Sequence, residues 1–243
     1  RAQHPQAKAL DAGRVAITSG GVNALMLACE TLIDAGDHVV AVTPVWPNLV
    51  AQPKIMGAQV QCVPLQVVDG SWQLDLDQLL AAITERTQVL IVNAPNNPTG
   101  WSLSAPEQAA ILAHCRRTGT WILADEVYER LYFGGDQAVA PSFLDLADAQ
   151  DRLIVVHSFS KSFLMTGWRM GWMIMPSSVT EHVGKLIEFN TSCAPVFVQR
   201  AALAALAHAD EVTPQVVAHL SACRETLYSG LSRLPQVQLS SAV

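Results

Sequence analysis

Leu153-Ile154-Val155-Val156-His157-Ser158-Phe159-Ser160-Lys161-Ser162-Phe163, running on to Gly167-Trp168-Arg169-Met170-Gly171-Trp172, is the stretch from which the fold is read. Its four leading apolar residues form a buried strand pattern, and the strand ends in hydroxyls, a lysine, glycines and an arginine. In open α/β sheets, ligand chemistry sits just past the carboxyl ends of strands. Lys161 falls there between Phe159 and Phe163, where partial desolvation lowers a lysine pKa and makes it a candidate amine nucleophile. Ser158, Ser160 and Arg169 suit an anionic group, Arg169 through a bidentate guanidinium fork. Alone, a serine next to a lysine reads as a solvated loop, because most lysines are exposed. The rest of the chain changes that reading.

Strand-like runs occur at 15–18, 38–42, 60–63, 89–92, 121–124, 153–156 and 172–175. Helix-period segments lie between most of them, at 22–35, 76–84 and 105–118, followed by a helical pair at 198–208 and 212–234. Unbroken apolar strands alternating with helices predict an α/β fold, with a mostly parallel sheet of about seven strands covered on both faces. The strand-free tail places a boundary near 198/199, with 1–198 as the large domain and 199–243 as a helical segment leading into a second one.

At 243 residues the chain is long enough for a substantial core, and half of it is hydrophobic. No apolar run approaches the roughly 18 residues of a membrane span, and Arg1-Ala2-Gln3-His4-Pro5 has no apolar core of a signal peptide. Lys and Arg number 15 against 21 Asp and Glu, for a net charge of −6, which argues against nucleic acid. The five cysteines are scattered, without a Cys-x-x-Cys pair, and the seven histidines show no ligand spacing. No metal site is expected, and a reducing, cytoplasmic setting is.

Four more segments carry chemistry, each at a strand exit or helix start. Thr18-Ser19-Gly20-Gly21-Val22-Asn23 joins a strand to an amphipathic helix, so its glycines allow close backbone approach to an anion at the helix N-terminus. There is no G-x-G-x-x-G and no G-x-x-x-x-G-K, which removes a dinucleotide fold and a P-loop. Trp46, in Pro44-Val45-Trp46-Pro47, is placed either to stack on a flat ring or to fill the core. Asn93-Ala94-Pro95-Asn96-Asn97-Pro98-Thr99-Gly100 is a stiff loop presenting an amide. Asp125 ends an apolar strand, to cap a helix or meet a buried cation. Tyr128, three residues on, is expected to share its helix face.

This ordered set resembles the class I/II aminotransferases of the pyridoxal-phosphate fold type I group, through Ser19-Gly20-Gly21, Trp46, Asn96-Asn97-Pro98-Thr99-Gly100, Asp125-x-x-Tyr128 and Ser158-x-Ser160-Lys161…Gly167-x-Arg169-x-Gly171. The resemblance implies pyridoxal 5′-phosphate as cofactor. It also implies transfer of an amino group between an amino acid and a 2-oxo acid, with a homodimer as the working form. Lys161 would carry the Schiff base and shuttle the α-proton. Asp125 would keep the pyridinium nitrogen protonated, Asn97 and Tyr128 would bind the ring's O3′, and Trp46 would stack on the ring. Gly20, Gly21, Val22, Ser158, Ser160 and Arg169 would hold the phosphate. Phe189-Asn190-Thr191-Ser192 falls where the family approaches its partner subunit. Family members are longer at both ends. The resemblance therefore implies an N-terminal arm and most of a small domain, with the arginine that grips the substrate carboxylate, outside these residues. A lyase of the same fold, or the aminotransferase-like module of a transcription regulator, shares the same cofactor residues.

Overall fold

The computed structural model describes residues 4, 7, 10–134 and 139–240. In chain order the elements are β1 (Val15–Thr18), α1 (Gly21–Leu32), β2 (His38–Thr43), α2 (Asn48–Ile55), β3 (Gln59–Pro64), β4 (Gln66–Val68), β5 (Ser71–Gln73), α3 (Leu76–Ala82), β6 (Thr87–Asn93), α4 (Ala105–Thr118), β7 (Trp121–Asp125), β8 (Leu153–Ser158), β9 (Gly171–Ile174), α5 (Ser177–Asn190), α6 (Val196–Ala207) and α7 (Ala209–Leu231). Seven strands form one sheet in the order β1-β9-β8-β7-β6-β2-β3. The β3-β2-β6-β7-β8 run is parallel, and β9 is antiparallel to both β8 and β1. The mostly parallel seven-stranded sheet expected from the sequence is present.

Strand alternation divides the core in two. Leu90 and Val92 of β6, with Leu153 and Val155 of β8, face α3 and α4 and pack with Leu79, Ile111 and Leu112. Val89 and Ile91, with Ile154 and Val156, face the other way onto Leu25, Ala28 and Leu49 of α1 and α2 and Val183 of α5. Because the central strands are buried on both faces, they read as continuous apolar runs. A third cluster joins Phe159, Phe163, Met165 and Met170 to Val198 and Ala202 of α6. No helix among the described residues is long and apolar enough to cross a membrane.

The structure departs from the expected pattern in three places. The hairpin β4–β5 is short and solvent-facing, so it shows no buried run. Helix α2 contains Pro53, and its buried positions Leu49, Gln52 and Pro53 include only one large aliphatic side chain. The helix expected after Asp125 does not form. Residues 126–131 make turns instead, with Glu129 N–H donating to Glu126 O at 3.0 Å and Leu131 N–H to Tyr128 O at 2.8 Å. The Glu126 carboxylate, turned inward, takes the N–H of Phe143 at 3.1 Å and the hydroxyl of Ser142 at 2.6 Å, which ties this segment to a distant one.

Candidate active site

Sheet register assembles the site. Thr18, Gly171 and Ser158 lie in one cross-strand row, and Asn93 is opposite Asp125. The carboxyl ends of β1, β6, β7 and β8 and the start of β9 therefore meet on one edge, with Trp46 just beyond β2. They surround a cavity of about 200 Å³. Gly21, Val22, Trp46, Asn97, Asp125, Tyr128, Ser158, Ser160, Lys161 and Arg169 all line it. Leu25, Val127 and Thr166 line it as well, although nothing in the sequence marked them, and so does Asn93, the first residue of the stiff loop.

One end is built for an anion. Helix α1 starts after Gly20, whose φ of 91° is open to glycine, and no side chain caps it. Its first-turn N–H groups thus point a positive dipole end into the cavity. Arg169, itself left-handed at φ 51°, donates from Nη1 to Thr166 O at 2.6 Å. Its guanidinium lies against Gly20, where any β-carbon would collide with it. The Ser158 hydroxyl accepts the N–H of Ser160 at 3.1 Å.

The other end is acidic and aromatic. Asp125 is buried at the tip of β7, and its carboxylate accepts a long bond from Val127 N–H, at 3.4 Å. Burial pushes its pKa up to about 7, against the pull of that N–H and of the Lys161 charge. Lys161 Nζ sits 5.4 Å from the centre of the Tyr128 ring. The expected flanking by Phe159 and Phe163 is corrected here. Those rings are 5.1 Å apart in the α6-side cluster, and the aromatic surface facing the amine is Tyr128. Asp125 and Tyr128 do line one cavity, but from a strand end and a turn rather than one helix face. Trp46 is half-buried, one side on the α1 core and the other on the cavity.

Directly behind this wall is a polar network that sequence spacing did not reveal. Glu126 follows Asp125 and His157 precedes Ser158, and these two with Glu129 bring ligand-type atoms within 4.8 Å of one another. His4 donates from Nε2 to Glu129 at 3.0 Å and from Nδ1 to Asp145 at 3.0 Å. Burial works against a charge on His4, but the two carboxylates outweigh it and raise its pKa to about 9. Burial also disfavours the Glu129 carboxylate, yet the neighbouring His157, His4 and Arg130 hold it down to about 2. Glu126 is pushed up to about 8 by burial, with its Ser142 bond opposing. His157 stacks on Trp172 at 4.9 Å. His4 and Glu129 lie 125 residues apart in the chain, so no local pattern could announce them.

An α/β sheet with an anion cradle, a buried carboxylate and a lysine at its strand ends has the layout of an enzyme that holds a phosphorylated cofactor. The family model for aminotransferase class I and II matches residues 2–241, and the chain belongs to that family. It is 30% identical over 226 residues to an aspartate aminotransferase of Musicola paradisiaca, covering 92% of this chain and 55% of that protein. It is 33% identical over 199 residues to the arginine–pyruvate transaminase AruH of Pseudomonas aeruginosa, covering 82% of this chain and 50% of that one. The fold superposes with a TM-score of 0.85 on a crystal structure of a PLP-dependent aminotransferase from Streptococcus suis, at 28% identity, over 96% of this chain and 60% of the other. Members of the family use pyridoxal 5′-phosphate. The chain spans about half the length of these curated relatives.

Proposed function

We propose that this chain is the cofactor-binding part of a pyridoxal-phosphate-dependent aminotransferase that moves an amino group between an amino acid and a 2-oxo acid. The observation that carries the reading is the convergence of Lys161, buried Asp125, Arg169 and the start of α1 at Gly21 on one cavity. The residues fit the cofactor. The absence of β-carbons at Gly20 and Gly171 lets the Arg169 guanidinium and β9 pack against the start of α1, and Gly21, Val22 and Arg169 line the cavity there. Asp125 is a buried acid that accepts a weak bond from Val127 N–H among the described residues, which suits a ring N–H as partner.

When bound, pyridoxal phosphate supplies an aldehyde and a ring that accepts the electron pair left by a departing α-proton. Asp125 would hold a proton on the ring nitrogen and so stabilise charge that develops mainly in the transition state. The Lys161 amine would take the α-proton and return it. Asn97 and Tyr128 would hold O3′, and Trp46 would lie against the ring; all three line the cavity. The N–H groups of Gly21 and Val22, with Ser158, Ser160 and Arg169, would hold its phosphate.

Residues 1–198 are read as the large domain and 199–243 as the beginning of a second. A second copy of the chain is the expected partner, supported by the exposed Phe189, Val196 and Phe197 where α5 gives way to α6. All five cysteines are free, which fits a reducing cytoplasm.

The test is the visible spectrum of the chain with added pyridoxal phosphate, then borohydride trapping and peptide mapping. The cofactor is expected on Lys161, and Lys161→Ala is expected to lose the band and keep its unfolding midpoint. Adducts spread over Lys54 and Lys185, with none at Lys161, would remove the assignment.

A further inference from the structure

Asn93 ends β6, is 1% exposed and lines the cavity, yet has no part in the roles above. Its carboxamide is used at both ends. Nδ2 donates to the main-chain carbonyl of Asp125 at 3.0 Å, and Oδ1 accepts the main-chain N–H of Asn97 at 2.8 Å. The sheet does not need this side chain, because Ala94 N–H donates to the same Asp125 carbonyl at 3.2 Å. The following loop is closed mostly by its own bonds. Asn96 Oδ1 accepts the N–H of Thr99 at 3.1 Å and its hydroxyl at 2.8 Å, and Gly100 N–H donates to Asn96 O at 2.9 Å. Those bonds set the shape of the loop. The Asn93 carboxamide sets where Asn97 stands relative to the strand end that carries Asp125.

We propose that Asn93 is a positioning residue that fixes the Asn97 carboxamide against the Asp125 carboxylate, so that both meet one cofactor ring in register. The inference rests on the pyridoxal phosphate reading. A side chain here must donate at one end and accept at the other over the reach of an asparagine. Aspartate has no donor for the Asp125 carbonyl and would set a second buried carboxylate beside the first. An apolar residue of the same size leaves the Asn97 N–H without its acceptor.

The experiment is a double-mutant cycle of Asn93→Ala and Asn97→Ala, read by cofactor affinity and by the pH midpoint of the bound cofactor's absorption band. A donor on O3′ competes with the proton held there, so losing it raises that midpoint. Asn93→Ala is expected to raise the midpoint in the same direction as Asn97→Ala, and to weaken cofactor binding roughly tenfold, the loss of one buried hydrogen bond. In the Asn97→Ala background it should change neither by more than about twofold, because the two residues act as one unit. Fully additive effects would overturn the proposal.

Amide exchange in the cofactor-free chain gives a second reading. Asn97 N–H should be slow in wild type, fast in Asn93→Ala and still slow in Asn93→Asp, which keeps volume and acceptor. A slow Asn97 amide in Asn93→Ala, or a fast one in Asn93→Asp, would also overturn it. Wild type that fails to take cofactor on Lys161 defeats the functional reading, and this inference with it. Wild type that binds but shows an additive cycle defeats only the role of Asn93.

Discussion

Gly171 shows how tightly single atoms constrain this site. A β-carbon there would come within 2.8 Å of the Gly20 carbonyl carbon and 2.9 Å of both Gly21 N and His157 O. All three are main-chain atoms that cannot swing aside. Gly171→Ala is therefore expected to force β9 from the start of α1, at about 1–3 kcal/mol in unfolding free energy, and to weaken phosphate binding. Urea midpoints alongside Gly167→Ala, whose β-carbon would meet nothing within 4 Å, check this. Equal midpoints for the two variants would show that the contact relaxes freely. Gly171 was readable as part of a motif, because strand-exit glycines punctuate local sequence. The atoms it makes room for were not, since they come from the turn before α1, from α1 itself and from β8.

The strand ends and the turns behind them differ in legibility for a related reason. Strands β6 to β8 were visible as apolar runs, because both their faces are buried. The segment after Asp125 was misread as helix, because the partners of Glu126 lie at Ser142 and Phe143. Its ionisation has a measurable consequence. Asp125 and Glu126 have folded pKa values raised to about 7 and about 8, so the folded chain keeps protons that the unfolded chain releases. Their effect is to lower stability as pH rises from about 4 to about 8. Glu129 acts oppositely: its contribution is present above its unfolded pKa of 4.5 and is lost as pH falls toward 2. His4 contributes fully below 6.5, and that contribution is lost as pH rises through 9. Glu126→Gln keeps an acceptor for Phe143 N–H and cannot ionise. Urea unfolding at several pH values between 5 and 8 should show a flatter decline than in wild type. An identical slope would assign the decline to other groups.

At the scale of the whole chain, two large aromatic side chains stand exposed at one corner. Phe189 is 80% exposed and Phe197 is 69% exposed, at the end of α5 and the start of α6. Asn190, beside Phe189, accepts from Asn23 Nδ2 at 3.2 Å, which ties this corner to the helix whose N-terminus faces the cavity. The proposed self-association is expected to be lost in the Phe189→Asp, Phe197→Asp double variant, measured by size-exclusion chromatography with light scattering, together with some cofactor affinity. A wild-type chain that is already monomeric under the same conditions would separate this surface from self-association.

The order of strand, helix and motif along these 243 residues settled the fold class and the main candidates for cofactor contacts. Periodicity reports which face of an element is buried, and glycines, prolines and lone polar residues mark where strands end. Asn93 bridging Asp125 and Asn97, Tyr128 rather than two phenylalanines beside Lys161, and His4 held by Glu129 and Asp145 emerged only when the sheet was assembled. Cross-strand register and long-range packing choose those partners. A side chain's local sequence carries its chemistry but not the identity of what folding brings against it.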